Sequence, residues 1–155
     1  MKDKIINNFS KQHYKFDCWA KSIENTLKII KKELIIDYKI LLKELKTTTF
    51  WWTFPEKIED FLIKNNISFN KNINLISKNT INIFLINWYN FYNDNVDYWH
   101  YFITIKQDNL NHFVYDVWDW KTHIINETEL INLTKNVLVW KTKRYNDICF
   151  SFNIN

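Results

Sequence analysis

Apolar residues in the first part of the chain recur at the three- and four-residue spacing of amphipathic helices. Residues 18–33 show this pattern with charged residues on the opposite side, and residues 37–46 repeat it with Asp37 as the expected N-cap. A third helix is expected from Pro55, with Thr53 as its N-cap, because proline suits the first turn of a helix. The first third of the chain is therefore predicted to be helical.

After the third helix the period changes to the alternation of β-strands. Asp108 and Asn109 form the best hairpin turn, and residues 127–135 form a last helix capped by Asn126. Helices followed by strands predict an α+β fold, in which an N-terminal helical half packs on a C-terminal antiparallel β-sheet as one domain over residues 1–155. The predicted strands cover 67–70, 80–88, 98–106, 112–118, 137–141 and 148–153.

The composition is strongly biased. The chain has no Gly, one Pro, one Ala (Ala20) and one Arg (Arg144), whereas Lys, Asn and Ile are abundant, which suggests an AT-rich genome. Surface Lys and Asn are therefore poor functional clues. Without Gly, no Gly-dependent phosphate-binding loop is possible, and backbone positions that need positive φ must fall to Asn or Asp.

The charge distribution and the cysteines bear on the binding partners and on the cellular compartment that we expect. The net charge is +4, but the Lys residues are scattered and Arg144 stands alone, which does not favour nucleic-acid binding. No membrane span and no signal peptide are seen, so a cytoplasmic location is expected, with another export route left open. Cys18 and Cys149 are expected to stay reduced. The Cys and His spacings predict no metal site, and we expect no cofactor.

Cys18 lies where a polar segment turns into the first helix. Backbone N–H groups and the positive end of the helix dipole favour a thiolate at such a place, which makes Cys18 a candidate nucleophile; the alternative is a small side chain packed in the core. A nucleophilic thiolate needs a base, and the base needs an orienting acid. The candidate bases are His13, His100, His112 and His123, and the candidate acids are Asp116 and Asp119.

The predicted hairpin selects among these residues. If residues 98–106 pair with 111–118 through the turn, His100 at the start of the first strand lies opposite residues 116–118. Strand alternation puts Asp116 and Asp119 on opposite faces, so that only one of them can meet His100. A structural His–Asp pair is the alternative to a catalytic one.

The order and spacing of these motifs resemble the papain-like cysteine peptidase fold. Gln12 is followed six residues later by Cys18-Trp19-Ala20, and His100 is followed sixteen residues later by Asp116, which begins an Asp-Val-Trp motif. The chain is most similar to the compact peptidase domains that process bacteriocin leaders of the double-glycine type. The resemblance runs from about residue 8 to residue 153 and implies a Cys-His-Asp triad.

The resemblance also implies individual roles. Cys18 would attack a carbonyl carbon, His100 would hold the thiolate and protonate the leaving group, and Asp116 would orient the imidazole. Gln12 would donate its side-chain amide to the oxyanion, together with the backbone N–H of Cys18. Trp118 would shield the His–Asp hydrogen bond from water, although a core tryptophan is an equal alternative.

The departures leave other functions open. Bacteriocin-type domains usually have Gly after the cysteine, where this chain has Trp19, and no transporter segment follows, so a free-standing enzyme acting on a peptide or protein is expected. An acyltransferase or transglutaminase-like enzyme would use the same triad. A non-catalytic module could use the groove to bind peptides. The residues predicted to bind the substrate or peptide are Trp19, Trp51, Trp52, Trp88 and Trp99.

Overall fold

The computed structural model describes residues 9–14, 17–30, 37–47, 53–87, 91, 99–119, 121–139 and 143–154. Four α-helices fall in these ranges: α1 (Cys18–Ile30), α2 (Tyr38–Glu44), α3 (Pro55–Lys64) and α4 (Glu127–Leu133). A short 3-10 helix, Ile73–Leu75, precedes the sheet. Within the described part of the chain, no helix has the length and apolar character needed to cross a membrane.

Two of the three predicted helix N-caps are confirmed. The Asp37 carboxylate accepts hydrogen bonds from two backbone N–H groups of the first turn of α2, and the Asn126 side chain caps α4 in the same way. The prediction of Thr53 as the cap of α3 is wrong. Phe54 occupies that position without a side-chain cap, and the Thr53 hydroxyl is turned inward to the hydroxyl of Thr47.

The α+β architecture is confirmed, with seven strands in the described ranges. The main sheet is antiparallel and has the order β4-β3-β2-β1-β7, and β5 and β6 form a separate two-stranded ladder. The strands are β1 (Thr80–Asn87), β2 (Trp99–Lys106), β3 (Asn111–Tyr115), β4 (Thr122–Asn126), β5 (Val137–Val139), β6 (Lys143–Tyr145) and β7 (Cys149–Asn153).

Several strand predictions need correction. Residues 67–70 contribute one isolated bridge, between Asn70 and Ser151, instead of a strand. The predicted strand 112–118 ends at Tyr115, because residues 117–119 form a turn. The strands β4 and β6 were not predicted: both alternate weakly and carry mostly polar, exposed residues, as edge strands often do.

Successive residues of β2 face opposite sides of the sheet and enter two different cores. On one side, α1 packs its buried Trp19 against Tyr101 with ring centroids 4.6 Å apart, and Ile23 and Leu27 follow along the same helix face. On the other side, Phe102 packs in a second core that also contains residues of α4. Each fully buried aliphatic side chain stabilises the fold by about 1.5–3 kcal/mol, so the packing of α1 on β2 holds Cys18 firmly.

Asn and Asp replace glycine at most of the backbone positions that have positive φ. Among the described residues, φ is positive at Lys46 (52°), Asn66 (53°), Asn136 (54°) and Asp147 (55°). Three of these four are the residue types that tolerate the left-handed region best. The expectation from the missing glycine is therefore confirmed, with Lys46 at the end of α2 as the exception.

The fully buried His112 is expected to make folding sensitive to mild acid. Burial lowers the pKa of its ring, and this outweighs the opposing effect of Glu127, whose Oε1 lies 3.6 Å from Nε2. Since the unfolded chain binds a proton at this residue below about pH 6.5 while the folded chain resists it, the free energy of unfolding should fall as pH drops through that range. Urea denaturation between about pH 7 and pH 5 should show this decline, and His112→Leu should reduce it; an unchanged slope in the variant would contradict the prediction.

Candidate active site

His100 and Asp116 form a buried pair at the ends of β2 and β3. The His100 Nε2 and Asp116 Oδ1 atoms lie 2.6 Å apart, and both side chains are almost fully buried. The strand register, with Ile103 opposite Tyr115, brings the two residues together, and the predicted pairing of the two strands is confirmed with a turn one residue longer than predicted. The ring of His100 also packs edge-on against Phe102, with centroids 5.3 Å apart, which limits its rotation.

The carboxylate of Asp116 is itself held by the turn that follows β3. Its Oδ1 accepts a second hydrogen bond from the backbone N–H of Trp118 at 2.8 Å, and the backbone N–H of Asp116 donates to the carbonyl of Lys121. The rival acid, Asp119, lies elsewhere: it accepts from the N–H of Lys121, and its Oδ2 is 3.9 Å from the Nε2 of His123. Asp116 is therefore the acid in contact with His100.

Cys18 is the first residue of α1, and its side chain reaches His100. The two side chains are in hydrogen-bond and electrostatic contact, and because Nε2 faces Asp116, Nδ1 is the ring nitrogen available to the thiol. Burial alone lowers the pKa of His100. The Asp116 carboxylate and Cys18 together raise it by more than burial lowers it, so the pKa reaches about 10. His100 is thus expected to be an imidazolium at neutral pH.

The second cysteine has a different environment. Cys149 is buried in β7 and its Sγ lies 3.5 Å from the Oγ of Ser151. Burial raises the pKa of this thiol to about 12, against a smaller opposing effect of Ser151, so Cys149 stays protonated under ordinary conditions. Both cysteines are free. Cys149 therefore serves as an internal reference for the reactivity of Cys18.

Gln12 lies in the loop that precedes α1 and is 8% exposed. Its backbone N–H donates to the carbonyl of Val117 at 2.9 Å, which ties this loop to the turn that directly follows Asp116. The side-chain Nε2 donates to the carbonyl of Tyr14 at 2.7 Å, and the Oε1 is buried without a hydrogen-bond partner. An amide Nε2 carries two N–H groups, and the contact with Tyr14 uses one of them.

Three residues near the nucleophile were not predicted as part of the site. Asp17 is completely buried, its carboxylate accepts the Tyr38 hydroxyl at 2.6 Å, and the buried ammonium of Lys21 lies 4.1 Å from the ring centroid of Tyr38. The signal available in the sequence was an acid directly before the helix. Such an acid is normally interpreted as an exposed N-cap, and nothing in the sequence shows that Asp17 and Lys21 are buried.

The predicted aromatic anchors are only partly described. Trp19, predicted to bind substrate, is 1% exposed and lies in the core against Tyr101, and this burial argues against direct contact with a substrate. Trp99 is also buried, at 7% exposure. Trp118 is half-buried, and its role in shielding the His–Asp hydrogen bond from water stays a prediction. The other predicted anchors, Trp51, Trp52 and Trp88, lie outside the described residues.

Comparisons of the chain with models of known protein families, with curated proteins and with solved structures found no match. In the part of the chain that the structure describes, no group of three or more His, Cys, Asp or Glu side chains is arranged to hold a metal ion. Any assignment of function therefore rests on the geometry around Cys18.

Proposed function

We propose that the protein is a papain-like thiol hydrolase that cleaves a peptide or isopeptide bond with a Cys-His-Asp triad. The observation that carries this proposal is the contact of His100 with both Cys18 and the buried carboxylate of Asp116. The fold gives further support, because the nucleophile begins a helix that packs on an antiparallel sheet whose neighbouring strands supply the histidine and the acid.

The chemistry follows from the positions of the three side chains. The Cys18 thiolate attacks the substrate carbonyl carbon, and the electron pair of the C=O bond moves to the oxygen. The His100 imidazolium then gives its proton to the leaving amine as the C–N bond breaks, which leaves a thioester on Cys18. His100 next takes a proton from water as the resulting hydroxide attacks the thioester carbonyl, the C–S bond breaks, and the carboxylic acid product departs while the thiolate–imidazolium pair is restored.

The surrounding groups stabilise the charges that develop. Asp116 stabilises the imidazolium and fixes the ring orientation, as the acid does in other triads. The backbone N–H of Cys18 and the second side-chain N–H of Gln12 would donate to the oxyanion. The raised pKa of His100, about 10, keeps the proton available for the leaving group across the physiological range.

Peptide cleavage should be visible with a mixture of unstructured peptides. We expect the wild-type protein to produce defined fragments, detected by mass spectrometry, and Cys18→Ala to produce none while its circular dichroism spectrum stays unchanged. A folded wild-type protein that cleaves no peptide in a broad library, including isopeptide-linked pairs, would contradict hydrolysis.

An added amine distinguishes hydrolysis from acyl transfer. Because the Cys18 thioester reacts with amines as well as with water, the assay is repeated with a primary amine such as glycine amide. We expect carboxylic acids as the main products even with the amine present. Products that carry the amine would instead indicate an acyltransferase or transglutaminase-like enzyme, and peptide binding without either product would indicate a non-catalytic module.

A further inference from the structure

A buried carboxylate stands immediately before the proposed nucleophile. Asp17 is 0% exposed, and both of its oxygens are used. The backbone N–H groups of His13 and Tyr14 each donate to it at 3.1 Å, and the Tyr38 hydroxyl donates at 2.6 Å. Asp17 thus fixes two consecutive peptide groups of the loop that carries Gln12. Charge-assisted hydrogen bonds of this kind are the stronger ones in proteins.

The loop held by Asp17 in turn holds the Gln12 side chain. The N–H of Tyr14 is bound to Asp17, and the carbonyl of the same residue accepts the Gln12 Nε2 at 2.7 Å. The contacts therefore run without a gap from the Asp17 carboxylate, through Tyr14, to the amide of Gln12. If the loop shifted, the amide would lose the hydrogen bond that it donates to Tyr14, and its direction would no longer be fixed.

Two further side chains complete the buried cluster around Asp17: Tyr38, which contacts the carboxylate, and Lys21, which lies over the Tyr38 ring. Burial raises the pKa of Tyr38, and its hydrogen bond to Asp17 raises it further, so Tyr38 stays protonated and always donates. The buried Lys21 ammonium lies over the Tyr38 ring and contacts the Nε2 of His13 at 3.1 Å and the Oε2 of Glu24 at 2.5 Å.

We propose that Asp17 is a positioning residue of the oxyanion hole: its carboxylate fixes residues 12–14 so that the Gln12 amide points to the carbonyl oxygen attacked by Cys18. This inference rests on the proposed function, since it assigns Asp17 a task in the same reaction. A positioning role can be distinguished from a purely structural role, because a misdirected Gln12 amide slows only those reactions of Cys18 that pass through an oxyanion.

Two probes of Cys18 separate these effects. Iodoacetamide alkylates the thiolate by direct displacement of iodide and forms no oxyanion. p-Nitrophenyl acetate acetylates the thiolate through a tetrahedral oxyanion, which collapses with release of p-nitrophenolate and leaves a thioester. The ratio of the two rate constants therefore reports the oxyanion hole without any knowledge of the natural substrate.

Asp17→Asn should lower the acetylation rate about tenfold or more, as Gln12→Ala should, while the iodoacetamide rate changes by less than about threefold. The asparagine NH₂ group cannot accept a hydrogen bond, so the donors that contact the carboxylate oxygen it replaces lose their acceptor. The loop is then held by fewer hydrogen bonds. The double variant Gln12→Ala/Asp17→Asn should be no slower than Gln12→Ala alone, because both substitutions remove the same interaction.

Two further variants complete the test. Tyr38→Phe keeps the carboxylate and removes one donor, so it should slow acetylation selectively even if Asp17→Asn does not fold. Asp37→Asn is the matched control, since Asp37 is an exposed acid at the start of a helix that caps α2 without contacting Gln12. It should leave both rates unchanged.

The outcomes distinguish this inference from the proposed function. Equal slowing of both probes in Asp17→Asn and Tyr38→Phe, or an additive loss in the double variant, would overturn the positioning role. Unchanged acetylation in both variants would overturn it as well. A wild-type protein whose Cys18 reacts slowly with both probes would instead contradict the proposed function itself.

Discussion

Replacing His100 with alanine should slow alkylation of Cys18 near pH 6 by about a hundredfold or more. Alkylation needs the thiolate, and an ordinary thiol with a pKa of about 8.5 is only about 0.3% thiolate at that pH, whereas a neighbouring imidazolium favours the thiolate form. The pKa of His100, about 10, keeps the imidazolium present beside Cys18 at this pH. Peptide cleavage should fall by about three orders of magnitude, because the same ring is also the general acid and base.

The chain offers a matched control for this variant. His123, in β4, is another histidine that lies near an aspartate, with its Nε2 atom 3.9 Å from the Oδ2 of Asp119. His123→Ala should therefore leave both alkylation and cleavage close to the wild-type rates. Equal effects of His100→Ala and His123→Ala would show that loss of packing, not loss of the ion pair, slows Cys18. Iodoacetamide rates measured over a range of pH give the comparison.

Asp116→Asn should lower peptide cleavage by about a hundredfold to ten-thousandfold while keeping the shape of the site. Asparagine can still accept a hydrogen bond, but it has no charge with which to stabilise the imidazolium. Since burial alone lowers the pKa of His100 and the Asp116 charge raises it, removal of the charge must move that pKa down. The imidazolium is then lost at a lower pH than in the wild type.

NMR titration of the His100 ring measures this shift directly. The wild-type ring should lose its proton near pH 10, and the ring in Asp116→Asn should lose it at a clearly lower pH. Asp119→Asn is the control, because its carboxylate does not contact His100 and should not move the titration. A wild-type His100 that titrates at its ordinary value would contradict the ion pair with Asp116.

The sign of the His100 contribution to stability is opposite to that of His112. Because the folded pKa of His100 is above the unfolded value of about 6.5, its contribution is complete below that pH and is lost as pH rises towards 10. The contribution of His112, whose folded pKa is lowered, is lost as pH falls through the same unfolded value. The two histidines therefore favour stability near neutral pH, from opposite sides.

The pairing of His100 with Asp116 could be predicted from the sequence because it depends on local geometry. A short turn fixes the register of a hairpin, and alternation then fixes which side chains share a face. The turn prediction needs a correction, because the structure pairs Lys106 with His112 around a three-residue turn at 108–110 instead of the predicted two-residue turn at 108–109. This register, which differs by one residue, puts Asp116 on the same face as His100. The position of Cys18 at the first residue of a helix was predictable for the same local reason.

The network around Asp17 could not be predicted, because it depends on contacts between distant segments. Tyr38 reaches Asp17 across 21 positions of the chain, and Lys21 is a charged residue on the helix face that the hydrophobic pattern did not include. The pattern of apolar residues shows which face of a helix packs on the sheet. It does not show that a loop and a second helix cover another face and bury its charges.

Differential labelling of the two cysteines in the wild-type protein tests the central claim most directly. The folded protein is treated briefly with limiting iodoacetamide near pH 6, and peptide mapping by mass spectrometry gives the extent of alkylation at Cys18 and Cys149. The proposed ion pair predicts rapid modification of Cys18 and almost none of Cys149, whose pKa burial raises to about 12. Equal modification of both cysteines, or a Cys18 that reacts no faster than Cys149, would contradict the proposed function.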